Sequence, residues 1–361
     1  MSFRFRLRQT WAIARIEMRR AFFSKRAFWV YLLALFPSVL FIGHAISTHV
    51  QLAHHQGHGT VASALLDDLK PGLKEDDVIK RLGLPQEDYN NTRRRFRHDG
   101  DETDVTRRRM VYFDGTRRAS LTFEDGVLDG IFIRALVNFE EDRSVFAAIF
   151  QYFYLRLAIF FGCLGIFMNL FRGEMLDKTL HFWFLAPARR DVLLAGKYLA
   201  GLVASGVIFT GGAMLSFGAM LWTHSGPALQ AYLQGPGLEH ALRYALASTL
   251  GCVGYGSAFL AAGLLLRNPI IPAAVLLLWE GINGFLPDLL QKVSVLFYLQ
   301  SLCPVPAPID RDTPAVLRLL LAPAAPVSPW LATLGIVAVT ALVLWAAARA
   351  VRRLEINYGT D

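Results

Sequence analysis

Residues 172–202 read RGEMLDKTLHFWFLAPARRDVLLAGKYLAGL, and their first twenty positions form a charged, amphipathic segment between two apolar runs, Val145–Phe171 and Val192–Trp222. Each run exceeds the roughly 20 residues that carry a helix across the hydrocarbon of a bilayer. Helix is the local structure that satisfies its own backbone there. The segment is therefore a polar hinge between two crossings. Glu174, Asp177, Lys178, Arg189 and Arg190 supply its charge, and Leu176, Leu180, Phe182, Trp183, Phe184 and Leu185 its apolar side. The pattern predicts a short helix from about Gly173 to Leu185, lying along the membrane surface and broken before Pro187. Two readings stay open on physics alone. The charged end meets a soluble partner, or the segment is an ordinary interfacial loop.

Working outward, the chain of 361 residues is 54% hydrophobic and only 18% charged, too apolar for an ordinary soluble domain. Six runs are long enough to span: Ala27–Ile46, Val145–Phe171, Val192–Trp222, Leu242–Leu266, Ile270–Leu290 and Trp330–Ala350. The expected fold is an all-α polytopic membrane protein with six transmembrane helices plus a small α+β extracytoplasmic insert. Residues 1–26 carry eight basic side chains against one acid, Glu17, and apolar Trp11, Ile13, Ile16, Phe22 and Phe23 alternate with them. This predicts an amphipathic helix at the cytoplasmic interface, or a plain positive flank. The basic residues place the amino terminus, the hinge 172–191, the Arg267-Asn268-Pro269 turn and the tail 351–361 together in the cytoplasm. The net charge of +8 is thereby spent on orientation, and no base-reading motif accompanies it, so nucleic acid is not an expected partner. Cys163, Cys252 and Cys303 are not spaced as a metal or redox motif.

The segment 47–144 is the one large soluble insert, with 15 Lys/Arg against 18 Asp/Glu. Val61–Leu69 reads as a short helix. A second helix carries Val78, Ile79 and Leu82 on one face, with acids in its first turn and Gly83 and Pro85 as stops. Arg109–Phe113, Ala119–Phe123 and Val127–Ile133 are β-rich runs separated by Asp114-Gly115 and Asp125-Gly126, which predicts an antiparallel three-stranded meander. The polar Arg93–Arg109 stretch reads as a loop or a frayed hairpin. The outer loop 291–328 is proline-rich, and Val316–Leu321 within it is either a re-entrant piece or plain loop.

Two resemblances follow from these residues. The stretch 172–202 resembles the coupling segment of permeases of the type 2 exporter family of ATP-binding-cassette transporters, through Gly173-Glu174, Thr179-Leu180, Pro187, Arg190 and Gly196-Lys197. The six runs, the basic amino-terminal helix and the proline-interrupted last outer loop are similar too. Lys178 before Thr-Leu, the bulky Phe182-Trp183-Phe184 and the long insert depart from the pattern. The resemblance implies a permease subunit, not itself an enzyme, in a bacterial-type inner membrane. It would pair with a second permease copy as homodimer or heterodimer and with a cytoplasmic ATPase subunit that holds ATP and magnesium. Glu174, Asp177, Thr179, Leu180, Pro187, Arg190 and Lys197 would couple to that ATPase. Independently of this, the chain has no Gly-x-x-x-x-Gly-Lys-Ser/Thr phosphate cradle, since Gly196-Lys197 is followed by Tyr198. KPGLKEDDVIKRLGLP and FDGTRRASLTFEDGVLDGI in the insert resemble the small accessory lipoprotein of the outer-membrane barrel-assembly machinery, which implies contact with a protein or envelope component and no catalysis.

Charges inside the apolar runs are functional candidates by default. Glu280 lies halfway along Ile270–Leu290, and Arg156 lies at similar depth in the second run. Either the two pair along a translocation path, or Glu280 is protonated and hydrogen-bonded within the bundle. His44, His49, His54, His55 and His58 cluster after the first run without a Cys or acidic companion, and no metal site is expected. Small residues (Gly201, Ser205, Gly206, Gly211, Gly212, and Gly251, Gly254, Gly256) suit close helix packing. No hydrolase or metalloprotease motif is present. The competing reading is a non-transporting membrane scaffold or sensor that binds an envelope ligand through the insert.

Overall fold

The computed structural model describes residues 3–24, 27–56, 61–96, 102–176, 183, 185, 189–266, 270–283, 286–306 and 327–352. The chain divides into two compact units. One comprises Met1–Phe41, Glu141–Leu221 and Gly226–Asp361, and the other Ile42–Glu140 with Trp222–Ser225.

The first unit is helical. Its elements are α1 (Phe3–Phe23), the first half of α2 (Ala27–Gln56), α5 (Phe139–Ile149), a π-helical segment (Phe150–Ala158) continuous with α6 (Ile159–Leu176), α7 (Arg190–Trp222), α8 (Pro227–Gln234), α9 (Gly237–Leu265), α10 (Ile270–Gly281), α11 (Asp288–Gln291), α12 (Val295–Leu302) and α13 (Pro329–Arg352). Among the described residues, five helices are long and apolar enough to cross a bilayer: Ala27–His54, Phe139–Met175, Arg190–Trp222, Gly237–Leu265 and Pro329–Arg352. The protein is thus a multi-pass membrane protein by its helices.

The expected span Ile270–Leu290 is different. Its helix stops at Gly281, and 12 residues rise only about 18 Å, short of the roughly 30 Å hydrocarbon. Gly281, Asn283 and Pro287 end it, since proline removes a donor and glycine favours the coil. Helix α12 follows, and its Val295 and Leu299 face Gly254 and Gly251 of α9. The small residues of α7 and α9 have a visible use at Phe167. A Cβ at Gly201 or at Gly256 would stand 2.6 or 2.5 Å from its ring. Gly206 and Gly211, by contrast, meet nothing within 4 Å.

The second unit carries α3 (Ser63–Asp67), α4 (Glu75–Leu82) and an antiparallel sheet in the order β1 (Glu87–Phe96), β2 (Glu102–Phe113), β3 (Arg117–Glu124), β4 (Val127–Ala135). The sheet has four strands, not three. The stretch Arg93–Arg109, read as a loop or a frayed hairpin, supplies the end of β1 and the start of β2, two strands paired from Glu87↔Val111 to Phe96↔Glu102. Polar side chains on both faces of a strand erase the alternation by which strands are recognised. Asp125 and Gly126 both take positive φ, 51° and 79°, as the tight β3–β4 turn requires. One sheet face packs Met110, Tyr112, Leu121 and Phe123 on Leu66, Val78 and Leu82 of the helices. The Tyr112 hydroxyl donates to the Gly83 carbonyl at 3.1 Å, tying the end of α4 to that core. Helix α2 runs ten residues past its expected end at Ile46, and His49 Nε2 lies 3.0 Å from the Trp222 carbonyl.

Asp114 organises the β2–β3 turn. Its Oδ1 accepts from the Thr116 and Arg117 backbone N–H groups at 2.9 and 2.6 Å, and its Oδ2 from Arg117 Nε at 2.7 Å. Burial alone would raise this carboxyl, but those hydrogen bonds favour the anion and hold it at about 2. The folded value lies below the unfolded one, so the stabilisation is complete above about pH 4 and is lost as pH falls towards 2. Asp114→Asn should remove about 2 kcal/mol of it at neutral pH. The check is hydrogen exchange of β3 amides in the full chain, corrected for intrinsic rates. Equal protection in both proteins at pH 6 would refute this.

Candidate functional site

The basic helix α1 has one buried stripe: Ile13, Ala14 and Glu17 are 6, 0 and 2% exposed. It lies against the start of α7, where Gly196 makes the approach possible. A Cβ on Gly196 would sit 2.7 Å from Ile13 Cγ2 and 3.0 Å from the Thr10 carbonyl. The next residue, Lys197, is fully buried. Its ammonium donates to Glu17 Oε1 at 2.8 Å and to the Leu170 carbonyl at 2.7 Å, and meets Glu174 Oε1 at 2.9 Å. All three of its donors are therefore used. Glu174 Oε1 also accepts from Trp183 Nε1 at 2.9 Å and from Arg20 Nη1 at 3.3 Å. The rings of Phe171 and Trp183 each stand 5.3 Å from the ammonium, within cation–π range. Two carboxylates thus face two cations, with α1, α6, α7 and the hinge residue Trp183 joined at one point.

Arg190 belongs to the same end of the unit. Its Nη1 donates to the Val351 and Arg352 carbonyls at 3.2 and 3.3 Å, capping the last turn of α13, while Arg352 Nη2 lies 3.3 Å from Asp191 Oδ2. Beside the network, α1, the start of α2 and α6 enclose a cleft of about 790 Å3 lined by Ile16, Arg20, Val30, Ile166, Asn169 and Glu174.

Of the residues read as a coupling surface, Glu174 and Lys197 turn inward and bond to each other, and Arg190 holds a helix end. Their place is in the frame that positions the hinge, not on a face offered directly to a partner. Asp177, Thr179, Leu180 and Pro187 lie outside the described residues. Glu17 and Trp183 were not among the site residues read from sequence. Glu17 had a signal, as the lone acid among basic residues on the apolar stripe of an amphipathic helix. Trp183 had none beyond its bulk.

A second polar cluster sits at the break between α10 and α12. The Glu280 carboxylate accepts from the Ser294 hydroxyl, from Val295 N at 3.1 Å and from Leu296 N at 3.3 Å. Ser294 Oγ in turn accepts from Phe297 N at 3.1 Å, so a serine N-cap and an anion together satisfy the first turn of α12. Arg156, in the π-helical segment, is in electrostatic reach of Glu280 and Tyr255. No ion pair joins Arg156 to Glu280 among the described residues, because the helix cap occupies the carboxylate. The Arg156 guanidinium lies 5.6 Å from the Tyr152 ring centre, and its Nε is buried without a hydrogen-bond partner among the described residues. Glu280 is hydrogen-bonded within the bundle, as the acceptor of three donors. Among the described residues, no group of three or more His, Cys, Asp or Glu side chains could hold a metal ion.

Family models, curated proteins and solved structures were compared with the chain, and none matches.

Removing Lys197 would strand two buried carboxylates, a defect that costs about 3–5 kcal/mol. Lys197→Met should therefore lower the thermal stability of the purified chain sharply, and the triple variant E17Q/K197M/E174Q should regain most of the loss. A K197M protein that melts like the parent would show that the network is not structural.

Proposed function

We propose that this chain is the membrane-embedded permease subunit of an ATP-driven exporter, working with a second permease copy and with a separate cytoplasmic ATPase. The observation that carries this reading is the Glu17–Lys197–Glu174 network. It fastens an amphipathic helix to both sides of a polar hinge, so force applied at the hinge reaches α1, α6 and α7 together. The sequence has no phosphate cradle, and in this reading ATP and magnesium belong to the partner. In this reading α10 and α12 together make a sixth crossing. The joined ends of α1, α6, α7 and α13 then share the cytoplasmic side, in keeping with the basic amino terminus.

The path for substrate runs past the broken crossing. Irregular backbone at membrane depth is tolerated where it lines a cavity or is buried in protein, and half-helix ends there bind charged groups. Glu280 holds the break, and Arg156 presents an unpaired donor near it. Alternating access then amounts to a shift of helices about this point, driven from the hinge. The rival reading, a scaffold or sensor without transport, needs no ATPase at all.

Affinity purification from native membranes should bring down an ATP-hydrolysing subunit. Arg190→Glu, with the complex still assembled, should slow its hydrolysis by roughly tenfold, equivalent to about 1.4 kcal/mol in the barrier. An isolated chain, or hydrolysis indifferent to Arg190, would favour the scaffold.

A further inference from the structure

The second face of the insert's sheet is buried at Val111, Phe113 and Ser120 but open at Arg109 and Phe132. Strand alternation sends Met110, Tyr112, Leu121 and Phe123 to the core and their neighbours to the other side. There, Tyr89 pairs in register with Arg109, Arg109 with Thr122, and Ser120 with Phe132. These residues, with Arg107 and Arg118, line a cleft of about 560 Å3. That volume falls in the range of small-ligand sites, about 300–1,000 Å3. Tyr89 and Phe132 are 56 and 63% exposed and stand at opposite sides of it, three strands or about 14 Å apart.

The floor is basic and incompletely paired. Arg107 has Glu124 at 4.0 Å, and Arg118 Nη2 has Glu87 at 2.5 Å. Arg109 has no carboxylate partner among the described residues, and its Nε and Nη2 both donate to Ser120 Oγ at 3.2 and 2.9 Å. Arg118 Nε is buried with no acceptor among the described residues. A buried donor without an acceptor costs free energy that a bound anion would recover. Guanidinium forks match carboxylate or phosphate oxygens. An extended acidic peptide would instead be expected at a sheet edge, where backbone groups are free. This face offers side chains only, with flat aromatic rings at its two sides and hydroxyls between them.

We propose that this face binds an anionic saccharide, an oligosaccharide bearing a carboxylate or a phosphate. Arg109 and Arg118 hold the anionic group, and Tyr89 and Phe132 stack on the sugar rings. The site is independent of the hinge and of any ATPase.

The test is calorimetric titration of the full chain in zwitterionic nanodiscs with four probes: trigalacturonate, a mannobiose 6-phosphate, maltotriose and hexaglutamate. One of the two anionic saccharides should bind with a Kd near or below about 1 mM, equivalent to about −4 kcal/mol. Which of the two binds separates carboxylate from phosphate as the anionic group. Maltotriose should bind at least about tenfold more weakly, and R109A and F132A should each weaken the anionic saccharide by about tenfold. Arg81→Ala, at the end of α4, should change nothing. Three results would each overturn the proposal: no binding of either anionic saccharide, equal binding of maltotriose, or binding of hexaglutamate that F132A leaves intact, which would mark a surface for acidic protein.

Discussion

A buried ammonium must find an acceptor for every donor, and that requirement fixes one end of the helical unit. Lys197 has no exposure, so its charge is tolerable only with Glu17, Glu174 and the Leu170 carbonyl all in contact. Those acceptors come from α1 and from two turns of α6, which must therefore close on α7 together. The Gly196 contact with Ile13 then follows, since α1 cannot place Glu17 on the ammonium unless its backbone comes close. Arg20, one turn after Glu17, completes the charge balance from the more exposed side of α1.

A second constraint acts halfway along the helices, where backbone groups have no water to turn to. Three departures from regular helix occur there, and polar side chains gather at each. Pro37 removes a donor from α2, and one residue beyond the carbonyl this frees, the Ala34 carbonyl accepts from the Tyr154 hydroxyl at 2.8 Å. Tyr154 comes from the π-helical segment, and its hydroxyl also meets Ser216 of α7 at 2.8 Å, which is 2.9 Å from Ser38 Oγ. The gap between α10 and α12 is closed by Glu280 and Ser294. A polar residue in these runs is thus more often repairing backbone than awaiting a ligand. Arg156, whose Nε has no such duty, is the exception.

Much of this was legible in the chain. Five apolar runs became long helices because hydropathy over about 20 residues is a strong signal. The hairpin turns at Asp114-Gly115 and Asp125-Gly126 fell where positive φ demands them. Strand β1 was legible only in part, as one arm of the hairpin alternative for Arg93–Arg109, because its sequence lacks an apolar alternation and its place in the sheet is set by pairing with β2. The break in the fifth run was hidden by average hydropathy, which counts Gly281, Asn283 and Pro287 as three residues and not as an end. The burial of Glu174 and Lys197 was hidden for another reason. A charged residue in a hinge looks the same in sequence whether it faces water or an opposite charge from a distant helix. Glu17 and Lys197 are 180 positions apart, and only the fold brings them together.

The two polar clusters are not mechanically separate. Helix α6 begins where the π-helical segment ends, at Ile159, and reaches the network at Glu174. Over those 15 steps a helix rises about 22 Å as a stiff rod. At its far end the i→i+5 bonds of the π-helical segment, which carries Arg156 and Tyr154, are a wider and poorer arrangement than those of α-helix. In the proposed exporter, a push on the hinge would therefore travel undiminished along α6 and be absorbed where the helix is least regular. That is where Arg156 stands within reach of Glu280. Gln151, in the same segment, donates to the Val305 carbonyl at 2.8 Å, just beyond the end of α12. A shift of the segment would consequently load α12 at its carboxyl end while Glu280 holds its amino end. A short helix fixed at both ends by side chains from two other helices can tilt without unwinding, which is the kind of movement that opens a path past a broken crossing without exposing unpaired backbone to lipid.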